Sequence, residues 1–399
     1  MRKAIVVVHL ISPTGYYGAE RWVVAQARHL DSARVEVHIA ATREKGDSRP
    51  EILDRAESLG LPAHEIPLRG RFDPSAPRRT AALAAHLEAD ILHGHGYKSD
   101  LLAVLARRRH RCRVVATPHG FERADRLKLK FYLGAGRWAL RRCDAVAPLS
   151  TELREQVERM GVDPKRIHLI ENGVDLEEID RTLETAASPA VPESPGSIDP
   201  ARPATPETAD PGAPPEHAGT VAYVGRLVPL KNLESMLRAF DRLCARHRQA
   251  RLLLIGEGPQ RAELEALAAS LPSARGRVEF LGYREDRLQL LRTCALFTLS
   301  SRLEGIPRSM MEAMALGLPA VAYDIPGVDR LLRNGETGLS VPLDDTEGLA
   351  DAYHRILSAP DLRNRLGRQA REHVRTHFSA QRVARDYEEL YRKLIERDD

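Results

Sequence analysis

Cysteine is scarce in this chain. Only four occur in 399 residues, Cys112, Cys143, Cys244 and Cys294, and no two are close in sequence. That excludes a disulfide-framed secreted domain and every short Cys-x-x-Cys zinc spacing, and it fits a reducing, cytoplasmic setting. Long apolar runs are missing as well, since none approaches the ~20 residues of a membrane-spanning helix. The opening stretch Met1–His9 passes from basic to apolar but soon enters Ser12-Pro13-Thr14-Gly15, not a small-residue cleavage site. It reads as a buried first strand and not as a leader. Net charge is small, +4, and far from the clustered basicity that argues for nucleic acid. No Gly-x-Ser-x-Gly elbow is present, so a hydrolase triad has no support.

What is present is alternation. The apolar fraction of 43% suffices for sizeable cores, and the length suits two or three domains. Strands are expected at Ile5–His9, Val35–Ala40, Ile91–His93, Val114–Thr117, Ala145–Pro148 and Ile167–Ile170, with amphipathic helices such as Glu20–Leu30 and Thr151–Met160 between them. From Leu183 to about Ala218 periodicity vanishes, and nine of the 26 prolines fall there, the composition of a linker. Alternation resumes with strands at Thr220–Gly225, Leu252–Ile255, Val278–Leu281, Ala295–Leu299 and Ala320–Tyr323. Helices are expected at Asn232–Arg246, Gln260–Ser270, Arg308–Leu316 and Thr346–Leu357, and along residues 361–396 with a break near His377–Ser379. The pattern predicts two doubly wound α/β domains, 1–180 and 219–378, joined by a linker over 181–218 and followed by a final helix in 379–399. Two such sheets would present their strand carboxyl ends to a central cleft.

Several loops at those ends carry chemistry. Gly225-Arg226-Leu227 follows a strand, and Lys231-Asn232 opens the next helix. Arginine offers phosphate a bidentate fork and lysine a compact charge, although on spacing alone both read equally well as solvated loop residues. Gly256-Glu257-Gly258-Pro259 ends another strand and permits close backbone approach, but Arg261 stands where a dinucleotide fingerprint needs its third glycine. Thr14-Gly15-Tyr16-Tyr17-Gly18 joins the first strand to the first helix, as a phosphate wall or merely a tight turn. Leu303-Glu304-Gly305-Ile306-Pro307 leads into a helix bearing Glu312. Proline belongs at the start of a helix, so Glu304 should precede it and Glu312 should lie in its second turn.

His93, His95 and His119 follow strands in the first half. Grouped as metal ligands they match no known spacing, and no metal site is expected. His119 reads better as a polar group facing the cleft, able to donate or accept a proton. The segment Arg107–Arg142 holds twelve cations against Glu122 and Asp125, with Phe131, Tyr132, Leu133, Trp138 and Leu140 interleaved. A solvated helix face and an anionic membrane surface both account for it.

Taken in order, these motifs resemble glycosyltransferase family 4, the retaining sugar-nucleotide transferases of the GT-B fold. The most specific part is the Glu-x7-Glu pair continuing into Ala313–Ala322, then Gly327-Val328 and Asn334–Gly338, with Asn172-Gly173-Val174-Asp175 before the linker. The resemblance implies a nucleotide-sugar donor held by Gly15, Gly18, Arg226, Lys231, Gly256, Gly258, Glu304, Gly305, Ile306 and Glu312. Within that set Glu304 would contact the sugar and Glu312 the ribose. It implies catalytic roles for His119, Glu304, Arg226 and Lys231, no cofactor and no metal. It also implies a lipid-linked or saccharide acceptor, and a final helix that crosses back to the first domain. Tyr17 stands where the family often has a glycine, and Asp329 where it often has a glutamate. The expected function is sugar transfer in polysaccharide or glycolipid synthesis, in the cytoplasm or at the inner face of its membrane. Alternatives are a glycogen- or sucrose-type synthase, a sugar-nucleotide epimerase, or a non-catalytic binding module on the same scaffold.

Overall fold

The computed structural model describes residues 4–13, 15, 18–70, 73–119, 127–184 and 219–396. It divides into two units, residues 1–175 with 377–399, and residues 176–376.

The first unit is a six-stranded parallel sheet of β1 (Ile5–Ile11), β2 (Val35–Glu44), β3 (Ala63–Leu68), β4 (Ile91–His95), β5 (Arg113–Ala116) and β6 (Ala145–Val146), in the order β3-β2-β1-β4-β5-β6. Strand β1 reads as a near-continuous apolar run, and β4 is buried along its whole length, because helices cover both faces of a parallel sheet. Val7, Ile11 and Ile91 enter the core on one face, while Val6, Val8, Leu10 and Leu92 enter the core on the other. The first core includes Tyr387, Leu390, Tyr391 and Leu394 of the final helix, Ala380–Glu396. This helix therefore packs on the N-terminal sheet although it follows the whole second unit in sequence.

The second unit repeats the plan with β7 (Thr220–Val224), β8 (Arg251–Ile255), β9 (Val278–Gly282), β10 (Leu296–Leu299), β11 (Ala320–Tyr323) and β12 (Gly338–Val341), ordered β12-β11-β10-β7-β8-β9. Both sheets follow the strand order of dinucleotide-binding folds. It reverses direction between β1 and β4 in one unit and between β7 and β10 in the other.

Some expectations need correction. Ile167–Ile170 forms no strand; Ile167 makes only an isolated bridge to Val146. Strands β3 and β12 were not anticipated, since both are edge strands and carry only partly buried, mixed patterns. The helix Leu176–Glu184 groups with the second unit, not the first. Its Asp180 accepts from Arg375 at 2.7 Å, and its Glu178 lies 3.7 Å from Arg287. The first unit's N-terminal segment accordingly ends at Asp175 and the second unit at Thr376. Of the expected linker, 181–184 ends that helix and 185–218 lie outside the described residues. All four cysteines are buried free thiols. Among the described residues, no helix is long and apolar enough to cross a membrane.

Candidate functional site

Ligands of doubly wound sheets bind beyond the strand carboxyl ends where the order reverses. In the second unit that point lies between β7 and β10. Strand β7 hands over to Gly225 and the exposed Arg226. Lys231 closes the short turn Pro229–Lys231, and Asn232 takes a left-handed conformation, φ 50°, to start the helix Leu233–Arg246. The Ser300 hydroxyl, just past β10, donates to the carbonyls of Lys231 at 2.9 Å and Asn232 at 3.0 Å, which pins this turn. The Lys231 ammonium donates to Glu304 Oε1 in a largely buried ion pair, and Ser301 Oγ donates to the same oxygen at 2.6 Å. Two loops far apart in sequence thus bring one cation and one carboxylate together.

Glu304 lies in the loop and Glu312 in the second turn of the helix Arg308–Ala315, with Pro307 as its N-cap. Glu312 is 3% exposed. Arg287 grips it with a fork, Nε to Oε2 at 2.9 Å and Nη2 to Oε1 at 2.7 Å, and Arg308 adds a bond to Oε1 at 3.0 Å. Burial works against the Arg287 charge, but the Glu312 carboxylate outweighs it and holds the guanidinium above its ordinary range. The sequence reading missed Arg287, Arg308, Ser300 and Ser301. Only Arg308, four residues before Glu312 on one helix, was visible by spacing.

The glycines serve backbone against backbone. A Cβ at Gly256 would stand 2.0 Å from the Gly225 carbonyl oxygen, and one at Gly258 would stand 2.2 Å from that of Leu227. They let the β7 and β8 loops nest. Gly327 does the same for the Glu304 loop: its φ is +88°, and a Cβ would fall 1.9 Å from the Gly305 oxygen. Gly327→Ala must displace Glu304. We expect a lowered melting temperature, checked by calorimetry. An unchanged melting temperature would contradict this placement. Ile306 is 7% exposed and belongs to the packed interior, with Gly305 beside it in the loop.

In the first unit the reversal lies between β1 and β4. His9 pairs in register with His93, and Ile11 with His95, so all three histidines share one face. His119 lies beyond β5. His9 Nδ1 meets His95 Nε2 at 2.8 Å, and His95 Nδ1 meets His119 Nε2 at 3.2 Å. His93 is held between Tyr391 OH at 2.7 Å and Thr117 Oγ1 at 2.8 Å, and Tyr387 OH meets Thr117 at 2.8 Å. Both tyrosines come from the final helix.

Burial pushes the His119 imidazole down to about 4 and that of His9 to about 3, and holds His93 and His95 well below 6.5. When unfolded, the same groups protonate near 6.5. The unfolded chain then binds more protons than the folded one, so stability falls as pH drops below about 6.5. Buried Asp100, whose carboxyl is held protonated well above its usual range, opposes this by at most one proton. A lower melting temperature at pH 5 than at pH 7.5 is expected, and a rise instead would show these imidazoles to be charged in the fold.

Two expected features are only partly within view. Gly15 is described and Gly18 starts the helix Gly18–Ala27, where a Cβ would meet nothing within 4 Å; Thr14, Tyr16 and Tyr17 lie outside the described residues. In the basic segment, residues 120–126 and the side chains through Leu133 also lie outside. Several of its cations are committed within the fold. Arg107 binds Asp144 at 2.7 Å, Arg137 and Arg141 donate to the Met160 carbonyl, and Arg142 stacks 4.1 Å over the Trp138 ring. Arg108, Arg109 and Arg111 are exposed.

Comparison with known proteins fits this layout. Residues 16–178 match the family model described as Glycosyltransferase Family 4, and residues 205–373 match the model described as Glycosyl transferases group 1. An N-acetyl-alpha-D-glucosaminyl L-malate synthase of Bacillus anthracis is 24% identical over 331 residues, 82% of this chain and 81% of that protein. An exopolysaccharide phosphotransferase of Streptomyces coelicolor is 36% identical over 182 residues, which are 45% of this chain but only 19% of that longer protein. Among solved structures, Anabaena HepE in complex with UDP superimposes with a TM-score of 0.75 at 16% identity, covering 98% of this chain and 100% of that one. With one model on each unit and both sheets in the matching strand order, the chain belongs to glycosyltransferase family 4 and has the GT-B fold.

Proposed function

We propose that this glycosyltransferase moves a sugar, with retention, from a nucleoside-diphosphate sugar to a lipid-linked or saccharide acceptor in polysaccharide or glycolipid synthesis. The observation that carries the reading is the Lys231–Glu304 pair at the reversal point of the second sheet. HepE with UDP and with UDP-glucose, and relatives named as glycosyltransferases, support a nucleotide-sugar donor.

Cleaving a glycosyl–phosphate bond builds negative charge on the departing diphosphate and positive character on the sugar. When a diphosphate enters, Lys231 can exchange Glu304 for phosphate oxygens, and Arg226 adds a second, exposed cation. The released Glu304 carboxylate then accepts from sugar hydroxyls. The backbone at Gly305 and Ile306, and the Gly15, Gly18, Gly256 and Gly258 turns, would line the donor, with Glu312 toward the ribose. His119 would meet the reacting sugar. Two cations and preorganised backbone dipoles address the leaving charge without a metal ion.

The deciding experiment incubates UDP-, GDP- and ADP-sugars with the full chain and candidate acceptors, and measures released nucleotide and glycosylated product. Nucleotide release that rises with acceptor supports transfer. Interconversion of donor sugars without release would favour an epimerase, and absence of nucleoside-diphosphate binding by calorimetry would favour a binding module. For the basic segment we propose contact with anionic lipid through Arg108, Arg109 and Arg111 and the adjoining cations. Co-sedimentation with anionic vesicles should weaken at high salt, and equal binding to neutral vesicles would refute it.

A further inference from the structure

We propose that His95, backed by His9, is a positioning residue that locks His119 in the tautomer protonated at Nδ1. The three imidazoles form a hydrogen-bonded row, His9–His95–His119. A neutral imidazole has one donor and one acceptor. His95 uses both nitrogens, so its two bonds must run in the same direction, and the row has only two polarities. His9 sets which one holds. Its Nε2 is fully buried with no partner. If protons pointed from His119 toward His9, an N–H would be stranded at Nε2. In the opposite polarity the buried His9 Nε2 keeps only a lone pair, and the unengaged N–H falls on His119, which is partly exposed. Orphaned buried N–H groups are the rarer of the two. The protons therefore sit on His9 Nδ1 and His95 Nδ1, and His119 accepts at Nε2. Its one proton is left on Nδ1, which no described residue engages.

The same geometry argues against reading His9, His93 and His95 as a metal site, although their nitrogens are close enough to be grouped. The His9 and His95 rings are within 14° of parallel with facing nitrogens 2.8 Å apart. Nitrogens about 2.0–2.1 Å from a tetrahedral ion would stand roughly 3.3 Å apart. The separation is that of a shared proton. His93 braces the row from the side, its ring 4.3 Å from that of His95, and is itself fixed by Tyr391 and Thr117.

The structural claim stands by itself; its consequence for turnover rests on the proposed role of His119. It presents the sugar with a fixed N–H donor and no base. The test is nitrogen-15 NMR of histidine-labelled full chain near pH 7, with the His119 signals assigned by their loss in His119→Gln. Expected are a protonated Nδ1 and a bare Nε2. In His95→Phe, which keeps a ring but removes both nitrogens, the preference should be lost, whereas His95→Gln, whose amide can still donate, should retain it. Should His95→Phe fail to fold, the wild-type spectrum alone decides. A protonated His119 Nε2 in the wild type overturns the proposal. So does stoichiometric Zn²⁺ binding by the wild type that disappears in His9→Phe. If transfer is the reaction, kcat in His95→Phe should fall roughly 10²-fold and recover in His95→Gln. A preference present in the wild type and lost in His95→Phe, with kcat unchanged in that variant, would keep the lock and sink the role of His119; a preference retained in His95→Phe would overturn the lock.

Discussion

Replacing Lys231 by alanine is expected to lower kcat for transfer about 10²- to 10³-fold, with a much smaller change in KM. The size is that of removing one preorganised charge from a developing oxyanion, roughly 3–4 kcal/mol of barrier. Arg226 is exposed and remains in the variant, which is why activity should fall and not vanish. Lys231 also neutralises Glu304, so the two substitutions should not act independently. Lys231→Ala combined with Glu304→Ala should cost much less than the sum of the two singles in barrier terms, because groups in one network couple. Steady-state kinetics on the four proteins of this cycle measure it. Wild-type turnover in Lys231→Ala, or full additivity, would remove the pair from the site.

The second large effect is on stability. Arg287→Met should destabilise the second unit by about 3–5 kcal/mol, because it leaves the buried Glu312 without its forked partner. Arg308 still reaches Oε1 at 3.0 Å, so the lower half of that range is expected. At 2–4 °C per kcal/mol for a unit of this size, the melting temperature should drop by roughly 10 °C. Pairing Arg287→Met with Glu312→Leu removes both charges and should recover most of the loss, while a donor-binding role for Glu312 would keep that protein inactive. Calorimetry and donor titration on the same samples separate the two effects. A melting temperature unchanged in Arg287→Met would mean that the fork contributes nothing.

Much of this was legible in the sequence. Short apolar runs such as Ile5–His9 and Ala320–Tyr323, spaced by helical periodicity, define buried parallel strands before any coordinates, because both faces of such a strand must be apolar. Pro307 located the helix start between Glu304 and Glu312, since proline fits only a first turn. The break near His377–Ser379 was equally visible, and the helices Pro360–His377 and Ala380–Glu396 meet there. Edge strands such as Ala63–Leu68 escaped, because half-exposed positions carry no strong period.

Local pattern thus determined the elements, their alternation, and the residue types waiting at the strand ends. It could not determine partners. That Lys231 meets Glu304, that Arg287 grips Glu312, and that Tyr387 and Tyr391 return from the far end of the chain to brace His93 all depend on strand order and register. Those are set by the packing of whole sheets, and sequence separation says nothing about them. The glycines show the same division: the turn at 256–258 was legible in the sequence and Gly327 entered only through the family resemblance, but only the fold showed that backbone carbonyls, 1.9–2.2 Å from where a Cβ would sit, require them.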